Sequence, residues 1–232
     1  PGMDTELPKP WLGVKTQVVT AEVARALNLQ KPGGHRITQV YEGTRAARAG
    51  LQPGDIIVSL NGQPLRAARS QDTGDLARTI ETLSLGDQVK LGLLRGGKPA
   101  TVSVELVPTP RSATKAKTSR QLELEFTVRE ITPMDRMESR RFRDVRGLLV
   151  VDVTPGGWAD IAGLRIDDIL VSVGGSETGS IAAFEASMED AMERKPKTLR
   201  LFVQRGFRTH FVFIEPDWAK IVPEPTGTGG QQ

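Results

Sequence analysis

Apolar and polar residues alternate along much of this chain of 232 residues, in short runs bounded by glycine, proline and asparagine. An alternation with a period of two predicts β-strands that bury one face. Strands are predicted in this way at residues 12–19, 35–40, 56–60, 122–128 and 148–153. Apolar residues at helical spacing predict two longer helices, at about residues 72–83 and 181–194.

Two shorter helices are indicated by their capping signals. Thr20 stands before residues 21–29, and Thr132 is followed by Pro133 and by Asp135 in the first turn. A hydroxyl at the N-cap and an acid in the first turn both satisfy the free N–H groups at a helix start. Strands and helices mixed within about 100 residues predict the α+β class, as a small partly open β-barrel or sandwich with two helices.

The first half of the chain returns in the second half. The segment AGLQPGDIIVS at 49–59 returns as AGLRIDDILVS at 162–172, and LGLLRG at 91–96 returns as LFVQRG at 201–206. Nearly constant offsets over about 100 residues indicate two copies of one domain. We expect the domains at 8–108 and 121–218, a linker at 109–120, and a disordered tail rich in proline and glycine at 219–232.

The composition excludes several kinds of chemistry. The chain has no cysteine, so thiol nucleophiles, disulfides and thiolate metal sites are absent. Of its two histidines, His35 lies in the predicted strand at 35–40 and His210 in an alternating segment at 209–216 that predicts the last strand of the second copy. They have no metal-ligand spacing, and no motif of a serine hydrolase is present. We therefore expect no metal, no cofactor and no catalytic activity in this chain. No apolar run approaches the roughly 18 residues of a membrane span, and the first residues lack the pattern of a signal peptide.

The net charge of +3 is concentrated between the two copies. Residues 108–120 contain Arg111, Lys115, Lys117 and Arg120 and no acidic residue. Nucleic-acid sites usually place basic residues on a folded face with aromatic residues for stacking, and this segment has none. We expect a solvated, extended linker and no nucleic-acid partner, with a polyanion or membrane role as a weaker alternative.

Three motifs of the first copy together resemble the PDZ domain: WLGV at 11–14, AGLQPGDII at 49–57 and NG at 61–62. More narrowly, residues 8–218 resemble the tandem PDZ domains of HtrA-type (DegP-like) bacterial serine proteases. The resemblance implies a module that binds protein C-termini or peptides of unfolded proteins, each added as a strand to a sheet edge. It also implies attachment to a protease domain and an extracytoplasmic location, in the periplasm or cell envelope.

The resemblance also implies where the first copy binds its peptide. Gly13 matches the glycine that lets backbone N–H groups turn towards a terminal carboxylate. Leu76, Ile80 and Leu83 share one face of a predicted helix and would contact the last peptide side chain, although ordinary core positions explain them equally well. The expected peptide-binding residues are Trp11, Leu12, Gly13, Val14, Lys15, Thr16, Leu76, Ile80 and Leu83.

The second copy departs from this pattern in the loop. Glu125 aligns with Gly13, and a side-chain carboxylate there would crowd the loop and repel a peptide carboxylate. The corresponding weaker groove comprises Leu124, Glu125, Phe126, Thr127, Phe184, Met188 and Met192. We expect this copy to bind C-termini weakly or not at all; binding of internal segments, docking on another domain and a spacer role remain as alternatives.

Two functional classes follow. The chain is the substrate-recognition or regulatory region of an HtrA-type serine protease, or it is a freestanding adaptor or scaffold with no protease attached.

Overall fold

The computed structural model describes residues 7–220, which divide into two units between Pro110 and Arg111. Each unit combines an open, largely antiparallel sheet with helices and has its own hydrophobic core. The α+β class predicted from the sequence is confirmed. The last residues of the expected tail, 221–232, lie outside the described residues.

The first unit, within its described residues, contains eight strands and three α-helices. In chain order they are β1 (Pro10–Trp11), β2 (Val14–Val18), α1 (Ala21–Ala26), β3 (His35–Val40), α2 (Arg45–Arg48), β4 (Ile56–Leu60), β5 (Gln63–Pro64), α3 (Asp75–Glu81), β6 (Gln88–Arg95), β7 (Lys98–Glu105) and β8 (Val107–Pro108). The main sheet has the order β2-β3-β4-β6-β7, and the short strands β1 and β8 pair with each other. Its core packs Ile37, Ile57 and Leu91 with Leu76 and Ile80 of α3.

The second unit repeats this plan with one additional strand at the edge of the sheet. Its elements are β9 (Thr118–Gln121), β10 (Phe126–Glu130), α4 (Pro133–Glu138), β11 (Leu148–Val153), α5 (Trp158–Ile161), β12 (Ile169–Val173), β13 (Ser176–Glu177), α6 (Ile181–Arg194), β14 (Leu199–Arg205) and β15 (Arg208–Ile214). The sheet order is β9-β10-β11-β12-β14-β15, so β10, the counterpart of β2, is paired on both sides.

An ion pair explains why the two longest repeated motifs recur together. Arg95 donates to both carboxylate oxygens of Asp55 at 2.7 Å and to the carbonyl of Gly50 at 2.8 Å. In the second unit Arg205 binds Asp168 and the carbonyl of Gly163 in the same way. Each aspartate side chain is almost fully buried. Because a buried carboxylate needs a partner, the aspartate of the first motif and the arginine of the second are retained as a pair.

Two predicted helices begin at their expected capping residues, although α1 ends at Ala26 and not at residue 29. Thr20 caps α1 by accepting a hydrogen bond from the N–H of Val23 at 3.3 Å. Thr132 and Asp135 form a reciprocal capping box at the start of α4. The strands β3, β4 and β11 and the helix α6 have the expected bounds.

The helix expected at 72–83 is shorter than predicted. A 3-10 turn occupies Ser70–Gly74, and α3 ends at Glu81, so Leu83 lies beyond the helix. The carboxylate of Asp72 accepts from the N–H groups of Ala68 and Arg69 at 3.0 and 2.9 Å, which fixes the tighter first turn.

The expected strands at 12–19 and 122–128 and the expected linker at 109–120 also differ from the structure. The first strand is shorter, at Val14–Val18, because the chain turns at Gly13 with a φ of +85°. Residues 122–125 form a turn, and β9 and β10 lie on its two sides. Arg111 belongs to the second unit and pairs with Glu130 at 3.0 Å. The segment 118–121 has polar side chains throughout and therefore no apolar alternation, but a strand forms because its backbone groups pair with β10.

Candidate functional site

The strand β2 presents an unpaired edge in the first unit. It pairs antiparallel with β3 on one side, and no strand among residues 7–220 pairs with its other side. Val14, Thr16 and Val18 are partly or fully buried on one face, whereas Lys15 and Gln17 are exposed on the other. An unpaired edge offers a row of backbone donors and acceptors to another extended chain.

A cavity of about 150 Å³ lies between β2 and α3. Its residues come from three places: the start of the unit, the α3 face, and the segment after β8. The lining residues are Pro10, Trp11, Leu12, Val14, Thr16, Leu76, Ala77, Ile80, Glu81 and Thr109. At its rim, the ammonium group of Lys9 lies 3.0 Å from the carboxylate of Glu81.

Six of the nine residues expected in the first groove line this one cavity: Trp11, Leu12, Val14, Thr16, Leu76 and Ile80. Lys15 lies on the opposite face of β2, and Leu83 packs against the core beyond the end of α3. Sequence reasoning missed Pro10, Ala77, Glu81 and Thr109. Thr109 reaches the cavity through long-range pairing, in which its N–H donates to the carbonyl of Lys9 at 2.8 Å, and such pairing leaves no local signal.

Gly13 forms the turn between β1 and β2 with a φ of +85°. A Cβ atom there would lie 3.0 Å from the Cβ of Thr44, so glycine suits both the positive φ and the close approach of Thr44. Among the described residues, no protein group accepts a hydrogen bond from the N–H of Leu12 or Gly13. These donors stand at the end of the unpaired edge, beside the cavity.

The second unit keeps the same turn with a different residue. Glu125 adopts a φ of +62° in the position of Gly13. Its Oε2 atom accepts a hydrogen bond from the N–H of Trp158 at 3.1 Å, at the start of α5. Gly157 provides the room, since a Cβ atom on it would lie 2.5 Å from that carboxylate oxygen.

The edge of β10 is covered by the protein itself. Strand β9 pairs with it antiparallel, with Gln121 opposite Phe126 and Thr118 opposite Arg129. Most of the residues expected in the second groove lie in the core of this unit instead of lining a groove. Leu124, Phe126, Phe184 and Met188 are fully buried, and Met192 packs against them. Thr127 is half-buried and faces Arg120 of β9.

Within residues 7–220, no group of three or more histidine, aspartate or glutamate side chains is placed to hold a metal ion. Nor does this part of the chain contain a helix with the length and apolar character needed to cross a membrane.

The comparisons with known proteins agree with the geometry. Two family models described as PDZ domain match the chain, one at residues 10–106 and the other at residues 149–201. The chain therefore belongs to the PDZ-domain family and carries two PDZ domains in tandem.

The similarity narrows further to HtrA-type proteases. The chain is 33% identical over 215 residues to "Periplasmic pH-dependent serine endoprotease DegQ" of Escherichia coli, an alignment that covers 90% of this chain and 42% of that protein. It is 29% identical over 212 residues to "Probable periplasmic serine endoprotease DegP-like" of Bartonella henselae, covering 88% and 39% of the two chains. The chain thus spans about two fifths of the length of these curated relatives. The expected resemblance to the PDZ region of HtrA-type proteases is confirmed.

A solved structure titled "HtrA-type protease AlgW with decapeptide" shares 26% identity with this chain. The alignment covers 46% of this chain and 31% of that one, with a TM-score of 0.39.

Proposed function

We propose that the first unit binds the hydrophobic C-termini of other proteins, or peptides of unfolded proteins, by adding them as a strand to β2. One observation carries this function: the unpaired edge of β2 borders an apolar cavity and ends at N–H donors of Leu12 and Gly13 that have no partner among the described residues. The edge would bind the peptide backbone, the cavity its last side chain, and the loop its carboxylate.

In the whole protein, this module is the non-catalytic substrate-recognition or regulatory region of an HtrA-type serine protease in an extracytoplasmic compartment. The alignment with the periplasmic DegQ and DegP-like proteins along nearly the whole chain supports this assignment. The hydrolytic chemistry then belongs to a protease domain outside these residues. A freestanding adaptor is the second candidate, and the reading frame upstream of Pro1 separates the two, because only the first requires a trypsin-like domain there.

The groove is tested by a substitution that fills it without disturbing the core. Ala77 is exposed and lines the cavity, so Ala77→Gln places a long neutral side chain over the pocket. Ala26→Gln makes the same change at an exposed position of α1 and serves as the matched control. The readout is binding of a fluorescent peptide that ends in a free carboxylate after an apolar residue.

We expect Ala77→Gln to weaken this binding about tenfold, which corresponds to about 1.4 kcal/mol, and Ala26→Gln to leave it unchanged. Amidation of the peptide C-terminus should weaken binding to the unaltered chain by at least as much, because the loop donors lose a charged acceptor. If both variants bind the peptide equally, and the free-acid and amidated peptides bind the unaltered chain equally, the assignment of the groove is wrong.

A further inference from the structure

The strand β9 lies in the second unit where an added peptide strand would lie in the first. It occupies the side of β10 away from β11 and lies against α6. Its direction is antiparallel to β10, and the pairing extends to Lys117, whose carbonyl accepts from the N–H of Glu130 at 2.9 Å. A peptide added to the corresponding edge of the first unit, with its C-terminus at the Gly13 turn, would run in the same direction relative to β2.

The end of β9 meets the loop in the manner expected of a ligand terminus. The carbonyl of Gln121 accepts a hydrogen bond of 2.8 Å from the N–H of Glu125. The equivalent donor in the first unit is the N–H of Gly13. A main-chain carbonyl therefore takes the place that a terminal carboxylate would take, and the chain continues past it through the turn at 122–125.

The Glu125 carboxylate does not prevent this arrangement. The carboxylate accepts from the N–H of Trp158 instead, so the backbone N–H of Glu125 stays available to a neutral acceptor. The loop of the second unit is thus built for the carbonyl of a continuing chain, since a second carboxylate would lie close to the first and be repelled.

The contacts of β9 indicate a strand that can open separately from the rest of the sheet. Among its four residues only Ser119 is buried, at 7% relative exposure, whereas Thr118 and Arg120 are exposed. The neighbouring strand β10 buries Phe126 and Val128 in the core. Segments with few buried apolar contacts open at lower free energy than core strands.

We propose that Thr118–Gln121 is a built-in ligand of the β10 edge, which it covers reversibly. When it is displaced, the edge of β10 accepts an extended internal segment of another polypeptide, with a neutral carbonyl at the N–H of Glu125. The two PDZ domains then have different ligand classes: free C-termini for the first and continuing chains for the second.

Hydrogen exchange on the intact chain tests the reversible closure without any substitution. We expect the backbone amides of 118–121 that pair with β10 to exchange at least about 100-fold faster than the amides shared by β10 and β11. If the β9 amides exchange only as slowly as the core ladder, the strand is a permanent part of the sheet and the proposal is wrong.

A replacement variant tests the ligand class. Residues 118–121 are replaced by Gly-Ser-Gly-Ser in the full chain, and the probe is a labelled hexapeptide with the sequence of residues 117–122, acetylated and amidated. The matched control replaces Ala113–Lys115, an exposed turn just before β9, by Gly-Ser-Gly.

We expect the replacement variant to bind the capped hexapeptide at least tenfold more tightly than the unaltered chain and the control do. The free-acid form of the hexapeptide should bind that variant no more tightly than the capped form. A folded replacement variant that does not bind the capped peptide, or that prefers the free acid, would overturn the proposal. If the variant does not fold, the exchange rates of the intact chain decide. The capped probe has no carboxylate, so these results are separate from those for the first groove.

Discussion

The Oε2 atom of Glu125 accepts a hydrogen bond of 3.1 Å from the backbone N–H of Trp158. A side chain from the turn between β9 and β10 therefore caps the start of α5. In the first unit this space belongs to Thr44, whose Oγ1 atom caps α2 by accepting from the N–H of Ala47 at 3.3 Å. The same contact is therefore formed by residues of opposite size in the two units. In the first unit Gly13 faces the larger Thr44, and in the second the larger Glu125 faces Gly157.

This reversal of residue sizes predicts that substitutions at Gly13 and Thr44 are energetically coupled in the first unit. Gly13→Glu alone should lower the free energy of unfolding by about 1–3 kcal/mol, because a side chain at positive φ also crowds Thr44. Adding Thr44→Gly should recover part of this loss, since the new glutamate can then cap α2 as Glu125 caps α5. A double-mutant cycle measured by chemical denaturation gives the coupling energy. Strictly additive losses of stability would show that the two positions are not coupled and would contradict this prediction.

His35 predicts that the first unit loses stability in mild acid. Its side chain is fully buried, and neither ring nitrogen has a hydrogen-bond partner within residues 7–220. Burial lowers the pKa of His35 from its usual 6.5, and the nearby Asp75 and Asp72 oppose this shift only in part. The unfolded chain therefore binds the proton more readily, so stability is full above pH 6.5 and falls as the pH drops below it.

The variant His35→Leu checks this origin. It should flatten the pH dependence of unfolding of the first unit between about pH 7 and pH 5, at little cost at neutral pH, because an unpaired polar group is replaced by an apolar one. Unfolding curves at several pH values provide the measurement, and His210→Leu, at an exposed position of β15, is the control. The same decline in acid with and without His35 would assign the effect to other groups.

Asp135 predicts a separate loss of stability in stronger acid for the second unit. Burial raises the pKa of Asp135, but hydrogen bonds from Arg129 and Thr132 outweigh it and lower the pKa to about 2. A depressed carboxyl pKa stabilises the fold above the unfolded value of 3.8, and this contribution of about 2 kcal/mol is lost as the pH falls towards 2. Asp135→Asn should remove the decline in the stability of the second unit between pH 4 and pH 2. The control Asp152→Asn, at an exposed position, should leave this decline unchanged.

The ion pair of Asp55 predicts a large effect of removing Arg95. Burial raises the pKa of Asp55, yet the hydrogen bonds from Arg95 and from the N–H of Gln52 hold it below its ordinary value. Arg95→Met keeps much of the aliphatic stem but leaves a buried carboxylate without its cation, so we expect a loss of about 2–3 kcal/mol in the stability of the first unit. Arg66→Met, at an exposed position, is the control. A loss below about 0.5 kcal/mol, the range of ordinary surface changes, would contradict this role.

Much of the fold could be predicted because its signals are local or repeated. The capping box at Thr132 and the strand at His35–Val40 depend on neighbouring residues. Gly54 and Asp167 occupy the same place in the repeated motifs at 49–59 and 162–172, and both have positive φ in the structure. The turn at Glu125 is another such position: alignment with Gly13 identified it as a departure from the pattern, and the structure shows that the backbone turn is kept while the side chain changes.

The sequence by itself determined that two copies of one α+β domain are present and that the second loop differs from the first. Only the tertiary structure decided that Ala77 and Thr109 meet at one cavity, that Gly157 makes room for Glu125, and that residues 118–121 cover the edge of β10. The reason is physical. Hydrophobic periodicity reports which side chains are buried, whereas backbone pairing of a polar strand and the reversal of residue sizes across a contact depend on residues that are brought together only by folding.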